Sequence, residues 1–259
     1  ILGNVGDLQD LGVHGAMNKW ITSHGDIVRV DLLGNPTYIV RRASFAIDVL
    51  ANRNKLPPAT NIGGGRDGIF FADGETHCML RETFNDKFYD GELRKMFPRI
   101  VHMADRFVHV LHKRCIEQKQ DMHMWDWSVK LYYDMMADVG LGCPAKAFSL
   151  ARPADEAPEI LEVFNEILDM EKGRQIAVGA GLDVLNSLPT AGNRRYDKKV
   201  KRIYDLAQGF VDEYEQSKSV EADKRPCFMD ACSRFSSLPE EERTRLSRAQ
   251  VLNFLRAGS

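Results

Sequence analysis

Two side chains suited to anion binding, His77 and Arg81, stand four residues apart. Four residues is about one helical turn, so on a helix both leave from one face. Each offers nitrogen donors, and a guanidinium forms paired, charge-assisted bonds to carboxylate or phosphate. One reading is a clamp aimed at a single anionic target. The other is a solvated helix face with Leu80, Phe84 and Phe88 turned inward, and spacing alone does not choose between them.

The segment that must position this pair is Asp67-Gly68-Ile69-Phe70-Phe71-Ala72-Asp73-Gly74. It reads as an extended run carrying two aromatics, closed by an Asp-Gly turn that puts an acid where a helix N-terminus favours one. Just upstream, Gly63, Gly65 and Gly68 satisfy the spacing of a dinucleotide-binding loop. That loop needs a strand before it and a helix starting on it; Pro57-Pro58 precedes and an aromatic run follows, which argues against nucleotide binding. Residues 92–118 predict a long amphipathic helix with Phe97, Val101, Ala104, Val108, Leu111 and Cys115 on one apolar stripe. A second stripe, His102, Asp105, His109 and His112, has spacing that suits metal ligands. A metal site needs further ligands from elsewhere, and no partner run stands out, so this stripe reads as a solvated flank.

The remaining elements are mostly helical. Residues 14–24 have helical spacing, and 27–33 with 37–41 form two strands across a Gly34-Asn35-Pro36 turn. A short helix follows at 43–51, then a long loop at 52–66. A helix from 126 to about 140 places Leu131, Met135 and Val139 in a core. Residues 158–172 give an acidic helix, and 194–218 a helix with a basic first half and an apolar seam of Tyr196, Val200, Ile203, Ala207, Phe210 and Tyr214. Residues 238–245 read as a charged linker, after which Ser247 and Gln250 have the spacing of a capping box opening the last helix. Gly258 can end that helix; alternatively the apolar run 251–255 belongs to a buried helix crossing a larger domain. The fold class is mainly α with a small N-terminal β-sheet.

The chain has 259 residues, 44% hydrophobic and 28% charged, enough for one large domain or two small ones. A formal charge of -2 supplies no field for nucleic acid. Five cysteines without paired short spacing imply free thiols rather than a disulfide framework. No apolar run approaches the ~20 residues needed to span a bilayer.

From Leu2-Gly3-Asn4 through Trp20, Gly25-Asp26-Ile27-Val28, Gly34-Asn35-Pro36 and the 67–81 block, the chain resembles the cytochrome P-450 superfamily of haem-thiolate monooxygenases. The likeness continues through Leu246-Ser247-Arg248-Ala249-Gln250-Val251-Leu252-Asn253-Phe254-Leu255-Arg256-Ala257-Gly258-Ser259. That run looks like the start of the family's central helix, whose oxygen-handling motif is Ala/Gly-Gly-x-Asp/Glu-Thr. The resemblance implies an incomplete cytochrome P-450 fold ending in that helix, with 1–259 as the N-terminal part of a single domain.

The family's Trp-x-x-x-Arg donates to a haem propionate. Arg81 matches the arginine, and His77 stands at the tryptophan position, where an imidazole N–H can still donate. By the same resemblance Phe70 lies over the distal haem face, near Phe254 and Ala257 in the substrate pocket, and Gly258 helps open the central helix for oxygen. The cofactor implied is haem b with an axial cysteine from Phe-x-x-Gly-x-x-x-Cys-x-Gly, whose thiolate favours O–O cleavage.

None of Cys78, Cys115, Cys143, Cys227 or Cys232 fits that pattern, so the ligand lies outside this chain, and no residue here is assigned a catalytic or metal-ligating role. Cys143 comes nearest but reads as a small apolar residue near a helix end. Glu-x-x-Arg occurs at Glu171/Arg174 and Glu240/Arg243, both upstream of where the family's motif falls. The texture resembles the branch that hydroxylates fatty acids and other lipids, fed by an NADPH-dependent reductase or a ferredoxin. The implied location is the cytoplasmic face of the endoplasmic reticulum membrane if eukaryotic, otherwise the cytoplasm, with the apolar connection 176–188 able to touch a membrane surface. A truncated chain of this kind is expected to be inactive alone. The alternative is a shortened, non-catalytic helical module that binds lipid or a partner.

Overall fold

The computed structural model describes residues 4–32, 35–52, 67–70, 72, 74–153, 156–179, 183–220 and 226–257. Most of the 52–66 loop, Phe71, Asp73, Leu182 and Gly258 fall outside them. The chain divides into two compact units, 1–60 with 169–196 and 61–168 with 197–259.

In the first unit, helix α1 (Val5–His24) bends at Gly12, whose φ of 68° suits glycine. It is followed by an antiparallel hairpin, β1 (Ile27–Leu32) and β2 (Asn35–Val40), with Val28 opposite Ile39 and Val30 opposite Thr37. Alternation along the strands sends Val28, Val30 and Ile39 to one face, where they pack with Ala16 and Trp20 in a small core. The Trp20 ring N–H is held by the Asp7 carboxylate at 2.5 Å, which also takes Lys19 at 2.6 Å. Helix α2 (Ala43–Ala51) buries no residue.

The second unit holds the larger core. Its helices are α3 (Gly74–Phe84), α4 (Asp90–Leu111), α5 (Met124–Met135) and α8 (Glu240–Arg256), with most of α7 (Ala191–Val220) and the first half of α6 (Glu159–Gly179). Both α4 and α5 run on into a π-helical turn, at His112–Glu117 and Met136–Gly140. Ile160, Leu161, Val163 and Ile167 of α6 and Ile203, Ala207, Phe210 and Tyr214 of α7 are buried, so the seam predicted for α7 is present. Ion pairs Glu159–Arg202 and Glu166–Lys199, each with a contact at 2.8 Å, run alongside that seam and make the pair antiparallel.

Three expectations are corrected. The apolar stripe of α4 does not face a core: Phe97 is 60% exposed and Val108 61%, and Val101, Ala104 and Cys115 are exposed too. The buried side chains of that helix are Met96 and Met103, unbranched residues that fill irregular gaps, while Arg99 reaches the carbonyls of Asp138 and Pro226. On α5 the buried residues are Trp127, Lys130, Tyr133 and Asp134; of the three expected core residues Val139, in the π-helical turn, is buried, while Leu131 and Met135 are half-buried. Buried Asp134 accepts Ser149 N, Ser149 Oγ and Leu150 N at 2.7–3.0 Å, which satisfies both carboxyl oxygens.

The third correction concerns α8. Residues 240–245 are its opening turns rather than a linker, and Pro239 stands at its N-cap. Glu240, Glu241 and Glu242 lie in its first turn, where the helix dipole favours acids. Ser247 and Gln250 are therefore interior, buried residues, and Gln250 does other work. A ten-residue 3₁₀ segment, Phe228–Ser237, which sequence periodicity did not announce, precedes α8.

Candidate functional site

The site is built where the short segment 67–70 meets α8. Two amides on that helix, Gln250 (0% exposed) and Asn253 (7%), lie in its buried part. Gln250 Oε1 accepts from Ile69 N at 3.1 Å and its Nε2 donates to the Asp67 carbonyl at 3.1 Å. Asn253 Oδ1 accepts from Phe70 N at 3.0 Å, and its Nδ2 donates to the Ala249 carbonyl at 2.8 Å. These bonds satisfy backbone groups that are costly to leave unpaired when buried. Asp67 also pairs with Arg245 of α8 at 3.2 Å. The contact requires glycine at 68, because a Cβ there would lie 1.7 Å from Asn253 Nδ2.

Four aromatic rings form a column beside this clamp. Phe254 stacks on Phe228 at 5.0 Å and 9°, Phe228 on Phe88 at 4.9 Å, and Phe84 meets Phe254 edge-on at 5.5 Å. Centroid distances and angles of this kind are the favourable ones for aromatic pairs. The Tyr132 hydroxyl donates to the Phe254 carbonyl, and burial pushes its pKa up to about 12, so it stays a neutral donor.

His77 and Arg81 both lie on α3, half-buried and exposed respectively, while Leu80, Thr83 and Phe84 are its buried side. Neither side chain makes a hydrogen bond or ion pair among the described residues, so both are left for an outside acceptor. Phe70 is 75% exposed on a backbone tied to α8. Ala257, one turn beyond Asn253, is exposed at the end of that helix. Phe254 is half-buried inside the aromatic column, and Phe88, expected inward, is 51% exposed while stacked on Phe228. Gln250, Asn253 and Gly68 were missed as site residues. Two amides three apart within an otherwise apolar run were the available signal.

The other candidate chemistry resolves plainly. His102, Asp105 and His109 rim a cleft of about 350 Å³ with Arg106, Val110 and Leu150, but no three His, Cys, Asp or Glu among the described residues are grouped to hold a metal. Cys143, Cys227 and Cys232 are buried and Cys78 and Cys115 exposed. Burial pushes the Cys227 and Cys232 thiols up to about 12 and raises Cys143 as well, so all three stay protonated. Cys143 Sγ lies 3.3 Å from the Phe210 carbonyl, in the place of a small core residue.

The described residues are mainly helical with a two-stranded sheet near the N-terminus, and α8 clamps the segment leading into the helix that carries His77 and Arg81. The family model for cytochrome P450 matches residues 1–259, and the chain belongs to that family of haem proteins. It is 23% identical over 164 residues, 62% of its length, to a protein of Drosophila melanogaster described as probable cytochrome P450 6a18. The match takes in 30% of that relative, so the chain spans well under two thirds of it. No helix among the described residues is long and apolar enough to cross a membrane.

Proposed function

We propose that residues 1–259 form the N-terminal part of a single haem-thiolate monooxygenase domain, and that the complete protein hydroxylates an apolar substrate, a fatty acid or another lipid. O2 supplies the inserted oxygen atom, and an NADPH-dependent reductase or a ferredoxin supplies two electrons, the second oxygen atom taking up two protons from solvent and leaving as water. The observation that carries this reading is the pair His77 and Arg81, with no partners among the described residues, on one face of α3 in a chain of this family. These residues fit the cofactor's carboxylates, because a guanidinium and an imidazole one turn apart offer the donors two propionates need. When bound, haem supplies the oxygen chemistry.

The chain's own residues hold and orient. Arg81 and His77 anchor the propionates, and Phe70, Phe254 and Ala257 line the apolar space, where exclusion of water and fixed orientation raise the rate. Gly258 is assigned the opening of the helix beside that space. Val184, Leu185 and Leu188 are 62%, 45% and 44% exposed, and we read them as contacting a membrane surface, at the endoplasmic reticulum in a eukaryotic source. In the full-length protein, Arg81→Ala should lower haem retained per polypeptide; undiminished haem content would remove the anchor assignment. Replacing Val184 and Leu185 by Ser should reduce liposome flotation, and unchanged flotation would end the membrane reading.

A further inference from the structure

We propose that Gln250 and Asn253 are positioning residues for substrate: they fix the backbone of Phe70 to the register of α8, and so set which carbon of a long apolar chain is presented. This rests on the reading of Phe70 as part of the pocket wall. Packing alone would ask for apolar side chains at these buried positions. Instead each amide takes a backbone N–H of the next residue in turn, Ile69 and Phe70, at 3.1 and 3.0 Å. Gln250 also returns a bond to Asp67, Arg245 fixes the Asp67 carboxylate, and Ala72 N closes a turn onto the Gly68 carbonyl at 2.8 Å.

The result is a segment with its backbone held at every described residue from 67 to 70 and a large apolar side chain that remains 75% exposed. A rigid backbone presenting an exposed ring loses little conformational freedom when an apolar ligand packs on it. Because the same Asn253 lies one turn before Ala257, the clamp also fixes the offset between Phe70 and the exposed end of α8. Shifting that offset by even a part of a turn changes the place along a chain-like substrate that two walls can grip.

The test uses the full-length, haem-loaded enzyme with dodecanoic acid as probe. Asn253→Leu removes the acceptor for Phe70 N, whereas Asn253→Asp keeps it. Hydrogen exchange at the Phe70 amide should speed up about tenfold in the Leu variant, as loss of one buried bond implies, and stay near wild type in the Asp variant. Hydroxylation by Asn253→Leu should spread over more chain positions and KM should rise, with haem content unchanged and Asn253→Asp restoring the product pattern.

Should Asn253→Leu not fold, Gly68→Ala displaces the same amide from the opposite side and should give the same two changes. Unchanged exchange overturns the clamp. Faster exchange with an unchanged product pattern overturns the positioning role. If the unaltered enzyme binds no haem, the parent monooxygenase reading fails, while the exchange measurement still decides the clamp.

Discussion

Helices α8 and α4 lie in the same compact unit and invert the simple pattern in opposite senses. On α8, Ser247, Gln250 and Asn253 are polar and buried; on α4, Phe97, Val101 and Val108 are apolar and exposed. The difference teaches that burial follows what a helix must contact, not only what its residues prefer. The interior of α8 meets the backbone of segment 67–70, which demands donors and acceptors. The inward side of α4 buries two methionines and sends Arg99 to the carbonyls of Pro226 and of Asp138 in the π-helical turn of α5.

The largest effect separates these helices by truncation. Leu246→Ala, at a side chain 1% exposed, should cost about 2–5 kcal/mol through lost transfer energy and a residual cavity. Val108→Ala, at a side chain 61% exposed, should stay within about 0.5 kcal/mol. Urea unfolding of the full chain measures both. A Val108→Ala loss comparable with that of Leu246→Ala would show that the α4 stripe is covered in solution and would erase the contrast.

A smaller effect sharpens the α8 half. Gln250→Leu keeps the volume but strands the Ile69 N–H and the Asp67 carbonyl, both part-buried, and should cost about 1–3 kcal/mol in all. Gln250→Glu keeps the acceptor for Ile69 and should lose less. If Leu is tolerated as well as Glu, the buried amide is packing and not a clamp.

The sequence shows these regions unequally. The two strands, α2, α3, the α7 seam and the His77/Arg81 face were legible because period acts locally, but the Gly34-Asn35-Pro36 turn was set too late, since Asn35 and Pro36 belong to β2 and pair with Leu32 and Asp31. The α4 stripe was misread because periodicity measures the width of an apolar face and not which face meets the core. The start of α8 was misplaced because Ser247 and Gln250 mimic a capping box, whereas Pro239 and three glutamates mark the true beginning. The Gly68–Asn253 contact joins residues 185 apart, and no local pattern records such a pairing. The 3₁₀ segment has three residues per turn, so a search at the α-helical period passes over it.

Acid should reveal where the two regions are joined. Lys87 lies 3.4 Å from Asp230, in the 3₁₀ segment before α8, and 3.6 Å from Glu92, in the first turn of α4. Burial alone would raise the Asp230 carboxyl, but bonds from Cys227 N, the Tyr214 hydroxyl and Lys87 outweigh it and hold the group below the ordinary aspartate value. A carboxyl depressed in the folded state binds fewer protons than when unfolded. Its stabilisation is therefore present above the unfolded value and lost as pH falls through the folded one. The stability gap between wild type and Asp230→Asn should be widest above about pH 4 and narrow on acidification, by an amount moderated by partial exposure of the pair. A gap independent of pH would remove the ionised carboxylate from this junction.

The least perturbing test uses the cysteines as reporters of both faces without changing a residue. Cys115 is exposed in the π-helical turn that continues α4, and Cys78 is exposed on α3 beside His77, while Cys143, Cys227 and Cys232 are buried. Reactivity needs the thiolate and access, and burial withholds both from the last three. A thiol reagent at pH 8 should therefore modify two cysteines quickly and the remaining three only on unfolding. Peptide mapping distinguishes the informative failures. A protected Cys115 with a reactive Cys78 would mean that the outward face of α4 is covered, and the apolar stripe would regain the buried role its periodicity suggested. A protected Cys78 with a reactive Cys115 would place the cover over α3 instead, beside the two donors left for an anion.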